Sequence, residues 1–132
     1  YCSDITRTVA LGEPDTRLIK IYGIVQEAKA AAYSELKEGI SLKKIDAAAK
    51  KVISNYGYTM PHGLGHSFGL DIHEIPFISP KVDYELECNV VHTLEPGIYV
   101  PGVGGVRIED DYLIQKEGAE QLTHCNSDLI IL

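Results

Sequence analysis

Three imidazoles share the run His62-Gly63-Leu64-Gly65-His66-Ser67-Phe68-Gly69-Leu70-Asp71-Ile72-His73-Glu74, which is rich in glycine and contains no lysine or arginine. Glycine lets backbone approach a site closely and adopt conformations other residues avoid. Histidine is the commonest metal ligand and the side chain that titrates near neutral pH. Such a run suits a site built for chemistry, although a zinc-type site and a general acid/base arrangement read alike at this level.

Carboxylates elsewhere can join it. Alternate residues of a strand face one side, so Val106 and Ile108 share an apolar, core-facing side while Arg107 and Glu109 share the other. Glu95 and Tyr99 fall on one face if their strand continues through Pro96. A carboxylate beside apolar strand residues must be paired or metal-bound to be tolerated inside. Glu95 and Glu109, with Asp4 on the first strand, are therefore candidates for a buried polar centre. Taken singly, each has a structural reading: Asp4 as a strand-end acid, Glu95 as a turn residue before proline, Glu109 as half of an ion pair with Arg107. Together, Asp4, His66, Glu95 and Glu109 form a hard oxygen and nitrogen set without sulfur, suited to Mn, Co, Zn or Fe(II) rather than to a thiolate site. His92 and His124 read as structural. Asp110 and Asp111 read as solvated or turn-supporting, and Tyr22, Tyr33 and Tyr56 as core or helix-interface residues.

The elements that must position these groups are mixed. Ser3 to Leu11 suits a strand, broken by Gly12-Glu13-Pro14-Asp15. Leu18, Ile21, Tyr22, Val25, Ala28, Ala32 and Leu36 recur at helical spacing after an N-cap at Asp15 or Thr16, predicting a helix that stops at Gly39. Ser41 caps a second helix carrying Ile45, Ala48, Ala49, Val52, Ile53 and Tyr56, with Gly57 beyond it. A tight Glu38-Gly39-Ile40 connection makes the helices neighbours. Beyond Gly57 the chain reads as strands and turns: Asn89 to Leu94 continuing through Ile98 to Val100, then Val106 to Gln115, then Gln121 to Thr123 after a turn at Glu117 to Glu120. The apolar tail Leu129 to Leu132 is expected to pair or pack. The fold class is α+β, with helices early and an antiparallel sheet late.

At 132 residues the chain is at most one domain, with room for a real core. A net charge of −7 argues against a nucleic-acid or anionic-membrane surface, both of which need clustered Lys and Arg. No apolar run approaches a membrane span, and no secretory pattern is seen. Three cysteines without CxxC spacing speak against a disulfide framework or a Cys-rich zinc site, and for a reducing, cytoplasmic setting. The start at Tyr1-Cys2-Ser3-Asp4, without methionine, reads as a piece of a longer protein.

Four segments together resemble the pita-bread metallopeptidases of family M24. These are Ser3-Asp4-Ile5-Thr6-Arg7-Thr8; His62-Gly63-Leu64-Gly65-His66 with Asp71-Ile72-His73-Glu74; Thr93-Leu94-Glu95-Pro96-Gly97-Ile98-Tyr99; and Gly104-Gly105-Val106-Arg107-Ile108-Glu109-Asp110. Each alone is moderately specific; four in family order are much more so. The resemblance implies a pita-bread fold, with residues 1–132 the C-terminal portion of the catalytic domain and the preceding parts absent. It makes Asp4, His66, Glu95 and Glu109 metal ligands, Asp4 and Glu109 bridging two ions. It makes Glu95 the general base, His73 the contact to the substrate carbonyl, and His62 the extra histidine of proline-handling members. Thr93, Tyr99 and Arg107 become supporting groups.

Methionine aminopeptidases usually lack a histidine where His62 stands and carry phenylalanine rather than Arg107-Ile108 before the last glutamate. The resemblance therefore points to the Xaa-Pro dipeptidase (prolidase) and aminopeptidase P branch, with the choice between the two left open. It implies hydrolysis of peptides with proline at the second position by a metal-activated hydroxide. Two ions serve the complete enzyme, Mn2+ first and Co2+ or Zn2+ as alternatives. A fifth ligand, an aspartate, lies upstream of Tyr1 in the family, so this chain alone is expected to bind about one ion and to be weak or inactive. A homodimer is expected for the parent, and self-association of this chain through an open edge of its first strand. The alternatives are a metal-free relative acting as a protein-binding module, a methionine aminopeptidase, and a creatinase-type enzyme. The retained ligand set speaks against the first and the last.

Overall fold

A computed structural model describes residues 1–132. The elements run β1 (Val9–Ala10), α1 (Thr16–Tyr33), α2 (Leu42–Asn55), β2 (Gly65–Ser67), β3 (Glu74–Ile78), β4 (Val91–Leu94), β5 (Gly97–Val100), β6 (Gly104–Arg107), β7 (Asp110–Gln115), β8 (Gly118–Gln121) and β9 (Ile130–Ile131). Neither helix is long and apolar enough to cross a membrane.

Helix α1 starts where Asp15 accepts the Arg17 backbone N–H at 2.8 Å. It ends at Tyr33 rather than at Gly39. Residues 34–36 form tighter i→i+3 turns, Glu35 N–H to Ala32 O and Leu36 N–H to Tyr33 O. Leu36 is still buried in the core, so the apolar pattern outlasts the helix. Ser41 precedes α2, but its hydroxyl makes no cap bond; its backbone bridges to Glu85 instead. The helices pack together, with Ala28, Ala32 and Ala49 fully buried among Val25, Ile45 and Ile53. Tyr22 is buried as expected. Tyr33 and Tyr56 are not: each is close to half exposed, Tyr33 against the Tyr112 ring and Tyr56 bonded to Glu27. The hydroxyl of each needs a polar partner, and the surface supplies one.

A five-stranded antiparallel sheet has the order β3-β2-β4-β7-β8; β5 and β6 form a separate hairpin, and β1 pairs with β9 in parallel. Four strand expectations need correction. Of Ser3 to Leu11 only Val9–Ala10 joins a ladder, while Thr6 makes a single bridge to Glu109. The stretch through Pro96 is two strands: Pro96 has no N–H to donate, Glu95 N–H turns to Leu64 O, and the chain changes partner from β7 to β5's own neighbour β6. Glu95 and Tyr99 thus do not belong to one strand. Val106 to Gln115 is likewise broken at Ile108-Glu109, where Glu109 N–H bonds Thr6 O. Strand β8 begins at Gly118, just after the tight turn, rather than at Gln121. These breaks place the candidate acids at strand ends, where backbone changes direction.

Candidate metal centre

Ligating atoms of Asp4, His66 and Glu109 all lie within 4.8 Å of one another. His66 Nε2 stands 3.6 Å from Asp4 Oδ2 and 3.4 Å from Glu95 Oε1. Glu95 lies beside this trio, its other oxygen 3.8 Å from Arg107 Nη1. His66 is buried at the bulge where β2 shifts register against β3. Its Nδ1 faces the Ser67 carbonyl at 3.1 Å, which requires Nδ1–H and leaves the Nε2 lone pair pointing at two carboxylates. Lone pair against anions is repulsive unless a proton or cation lies between them. Glu109 Oε1 is buried and has no hydrogen-bonding partner. A convergent, sulfur-free set with an unused buried acceptor and the correct imidazole tautomer fits a divalent cation.

The electrostatics agree. Burial pushes Glu109 up to about 6; the Thr6 hydroxyl opposes this, and the Glu95 and Asp4 charges add to it. Burial also raises Glu95, against the pull of His66 and Arg107. In both acids burial and neighbouring charge disfavour the ionised form, and a cation among them would favour it. Arg107 does not pair with Glu109. Its Nε donates to Thr6 Oγ1 at 3.0 Å, and Thr6 in turn donates to Glu109 Oε2 at 2.5 Å.

Strand β4 sets His66. Thr93 Oγ1 accepts the His66 backbone N–H at 3.1 Å. A Cβ on Gly65 would stand 2.1 Å from Thr93 O, so only glycine lets β2 lie this close. His62 presents Nδ1–H to Gly63 O at 2.8 Å, and Nε2 accepts from Tyr99 Oη at 3.2 Å. The Tyr99 ring lies over bare backbone on its own hairpin: a Cβ on Gly97 would come within 2.6 Å of its hydroxyl, and one on Gly105 within 2.6 Å of ring carbon Cδ1. His73 is exposed, with its ring centre 4.4 Å from that of His66.

Of the nine residues singled out from the sequence, Asp4, His66 and Glu109 form the tight trio, Glu95, His73 and Thr93 contact His66, Arg107 stands by Glu95, and His62 and Tyr99 contact each other. Asp110 and Asp111 are corrections: neither is solvated. Asp110 is fully buried, accepting from Arg7 Nη2 at 2.6 Å and Thr123 Oγ1 at 2.7 Å and pairing with Lys29. Burial alone would raise its pKa, but the Lys29, Arg7 and Thr123 bonds bring it below the ordinary value. Thr6 is a residue the sequence reading passed over. The signal was available, since Asp4, Thr6 and Thr8 alternate along an extended segment and share a side. His92, read as structural, is fully buried with neither ring nitrogen bonded, and burial lowers its pKa to about 4.

A family model described as metallopeptidase family M24 matches residues 1–116. An uncharacterized peptidase of Staphylococcus aureus (strain bovine RF122 / ET3-1) is 52% identical over 126 residues, covering 94% of this chain and 36% of that protein. An Xaa-Pro dipeptidase from Bacillus anthracis superposes with a TM-score of 0.97 at 46% identity, covering 100% of this chain and 38% of its own. An X-Pro aminopeptidase from Thermotoga maritima MSB8 does so with a TM-score of 0.96 at 41% identity, covering 100% and 38%. The chain therefore spans little more than a third of the length of these relatives.

Proposed function

The chain belongs to metallopeptidase family M24 and has its pita-bread fold, and from that premise we propose that it forms part of an enzyme hydrolysing Xaa-Pro peptide bonds. The observation that carries this is the convergence of Asp4, His66, Glu95 and Glu109 with the His73 ring against His66, in a chain that also pairs His62 with Tyr99. Those four residues would hold a divalent ion, Mn2+ in the first instance and Co2+ or Zn2+ otherwise. A bound divalent ion supplies Lewis acidity, polarising the scissile carbonyl and lowering the pKa of water.

The chain's own groups do the rest. Glu95, its basicity raised by burial, takes a proton from the attacking water and delivers it to the proline nitrogen as the C–N bond breaks. His73 donates to the carbonyl oxygen as charge develops there. His62, its tautomer set by Gly63 O and Tyr99 Oη, positions the Xaa-Pro amide. Thr93 holds the His66 backbone, and Arg107 acts on Glu109 through Thr6. Dipeptidase and aminopeptidase relatives fit alike, so the substrate is given as a peptide with proline second. Residues 1–132 are proposed as the C-terminal portion of the catalytic domain, one ion per chain here and two in the longer protein, with little hydrolysis by this chain alone. The three free cysteines support a reducing cytoplasm. Strand β1 pairs only with β9, which leaves an edge for self-association, and the longer protein is proposed to be a homodimer.

Calorimetric titration of the chelator-stripped chain with Mn2+ tests the centre. One site per chain is expected, abolished in Glu109→Gln; no binding, or two tight sites, overturns it. Hydrolysis of Ala-Pro or Gly-Pro by the longer protein tests the substrate class, and cleavage of Met-Ala in its place overturns that.

A further inference from the structure

Strand β7 opens with two consecutive acids, Asp110 and Asp111, and both are buried. Successive residues of a strand point to opposite faces, and here the two faces meet the same partner segment at its two ends. Asp110 holds Arg7. Asp111 Oδ2 accepts from Ser3 Oγ and from the Asp4 backbone N–H, each at 3.2 Å. Between these grips lies the single Thr6–Glu109 bridge. The segment otherwise lacks a ladder before Val9; apart from the Cys2 N–H bond to Gly69 O at 2.8 Å, its start is held by side-chain anchors.

We propose that Asp111 is a positioning residue of the metal centre. By accepting the Asp4 N–H it fixes the backbone from which the Asp4 carboxylate reaches His66 Nε2, 3.6 Å away. Its own carboxylate touches neither His66 nor Glu109 through any hydrogen bond or ion pair; it acts only through the backbone of Asp4. Asp111 is itself held by β7, where its N–H donates to Thr123 Oγ1, its carbonyl accepts from Leu122 N–H, and Thr93 lies opposite across the sheet. The anchor therefore belongs to the same strand pair that sets Thr93 and, through it, His66.

The experiment has two readouts. The first is amide hydrogen exchange at Asp4, followed by NMR on the metal-free chain. The wild-type amide should be protected, Asp111→Asn should keep protection because its amide oxygen can still accept, and Asp111→Ala should lose it. A wild-type Asp4 amide that exchanges like a free one overturns the proposal without any variant, so a failure of Asp111→Ala to fold does not shelter it. The second is Mn2+ affinity by calorimetry, which rests on the metal-centre reading. Loss of an outer support of this kind costs about 10- to 100-fold in affinity, expected for Asp111→Ala and recovered to within a few-fold in Asp111→Asn. Asp111→Ala binding as wild type, or Asp111→Asn as weak as Asp111→Ala, overturns the positioning role. A wild-type chain that binds no Mn2+ but protects the Asp4 amide overturns the metal centre and leaves the anchor standing.

Discussion

Thr6 and Glu109 are 103 positions apart and are joined by a 2.5 Å hydrogen bond in which the threonine hydroxyl donates. The same oxygen accepts from Arg107 Nε, so one hydroxyl is both oriented and orienting. Thr6→Val keeps the shape and removes both bonds. Glu109 then loses the one group that holds Oε2, and Mn2+ affinity should fall about 10- to 100-fold. Titration calorimetry of Thr6→Val against Thr6→Ser checks this, with the serine variant expected to retain most of the affinity.

Arg7 uses every N–H of its guanidinium. Nε donates to Asn126 O, Nη1 to Thr6 O and Glu109 O, and Nη2 to Asp110 Oδ1 and Cys125 O. Asp110 has no solvent exposure to fall back on. Arg7→Ala leaves a buried carboxylate with Lys29 as its one cation, and removal of one partner from a buried pair costs about 3 to 5 kcal/mol. Arg7→Lys should recover only part of this, because an ammonium cannot reproduce the planar fork. Urea unfolding of the three proteins measures it.

His92 makes stability depend on pH. Its pKa falls from 6.5 unfolded to about 4 folded, so the unfolded chain takes up a proton the folded one refuses. Its contribution is complete above pH 6.5 and is lost as pH falls towards 4, on the order of 3 kcal/mol in all. Glu109, raised from 4.5 to about 6, acts in the opposite sense, destabilising as pH rises between those values. Comparison of His92→Leu with wild type cancels the Glu109 effect. The variant should show a flatter pH profile between 4 and 6.5. It should lose little at pH 7, since neither ring nitrogen has a partner to forfeit. Thermal unfolding with chelator present, across that pH range, decides it.

Gly65→Ala should be the most damaging single-methyl change at the site. The new Cβ would meet Thr93 O at 2.1 Å and Thr93 C at 2.8 Å. Backbone cannot rotate away as a side chain can, so β2 must lift from β4. The cost is expected at about 3 kcal/mol or more, together with weaker Mn2+ binding because His66 follows Gly65. Gly57→Ala, at a helix end with φ 80° but open space around it, should cost only about 1 kcal/mol, and denaturant unfolding of both variants makes the comparison.

Much of the site was legible in the sequence because its residue types are chemically scarce. The glycine-spaced histidines, Glu95 before Pro96 and Glu109 after Arg107-Ile108 stand out in any reading, and both helices follow from apolar spacing, the first with an Asp15 cap. Periodicity also placed Val106 and Ile108 in the core, where they are. It could not say where a strand changes partners. The breaks at Glu95-Pro96 and Ile108-Glu109 occur because β4 and β7 pair with each other while β5 and β6 form their own hairpin. Local pattern reports which side a residue faces, not what lies across from it.

The fate of Asp110 and Asp111 shows the same limit. Two adjacent acids on a short strand look solvated because burial of a charge is costly without a partner. The partners are Arg7, Lys29, Ser3 and the Asp4 backbone, brought from 81 to 108 positions away. The sequence by itself determined which side chains could bind a cation and where the two helices lie. Only the tertiary structure decided that Thr6 orients Glu109 and that β7 grips the opening segment from both faces. Those contacts join segments whose sequences carry no local record of each other.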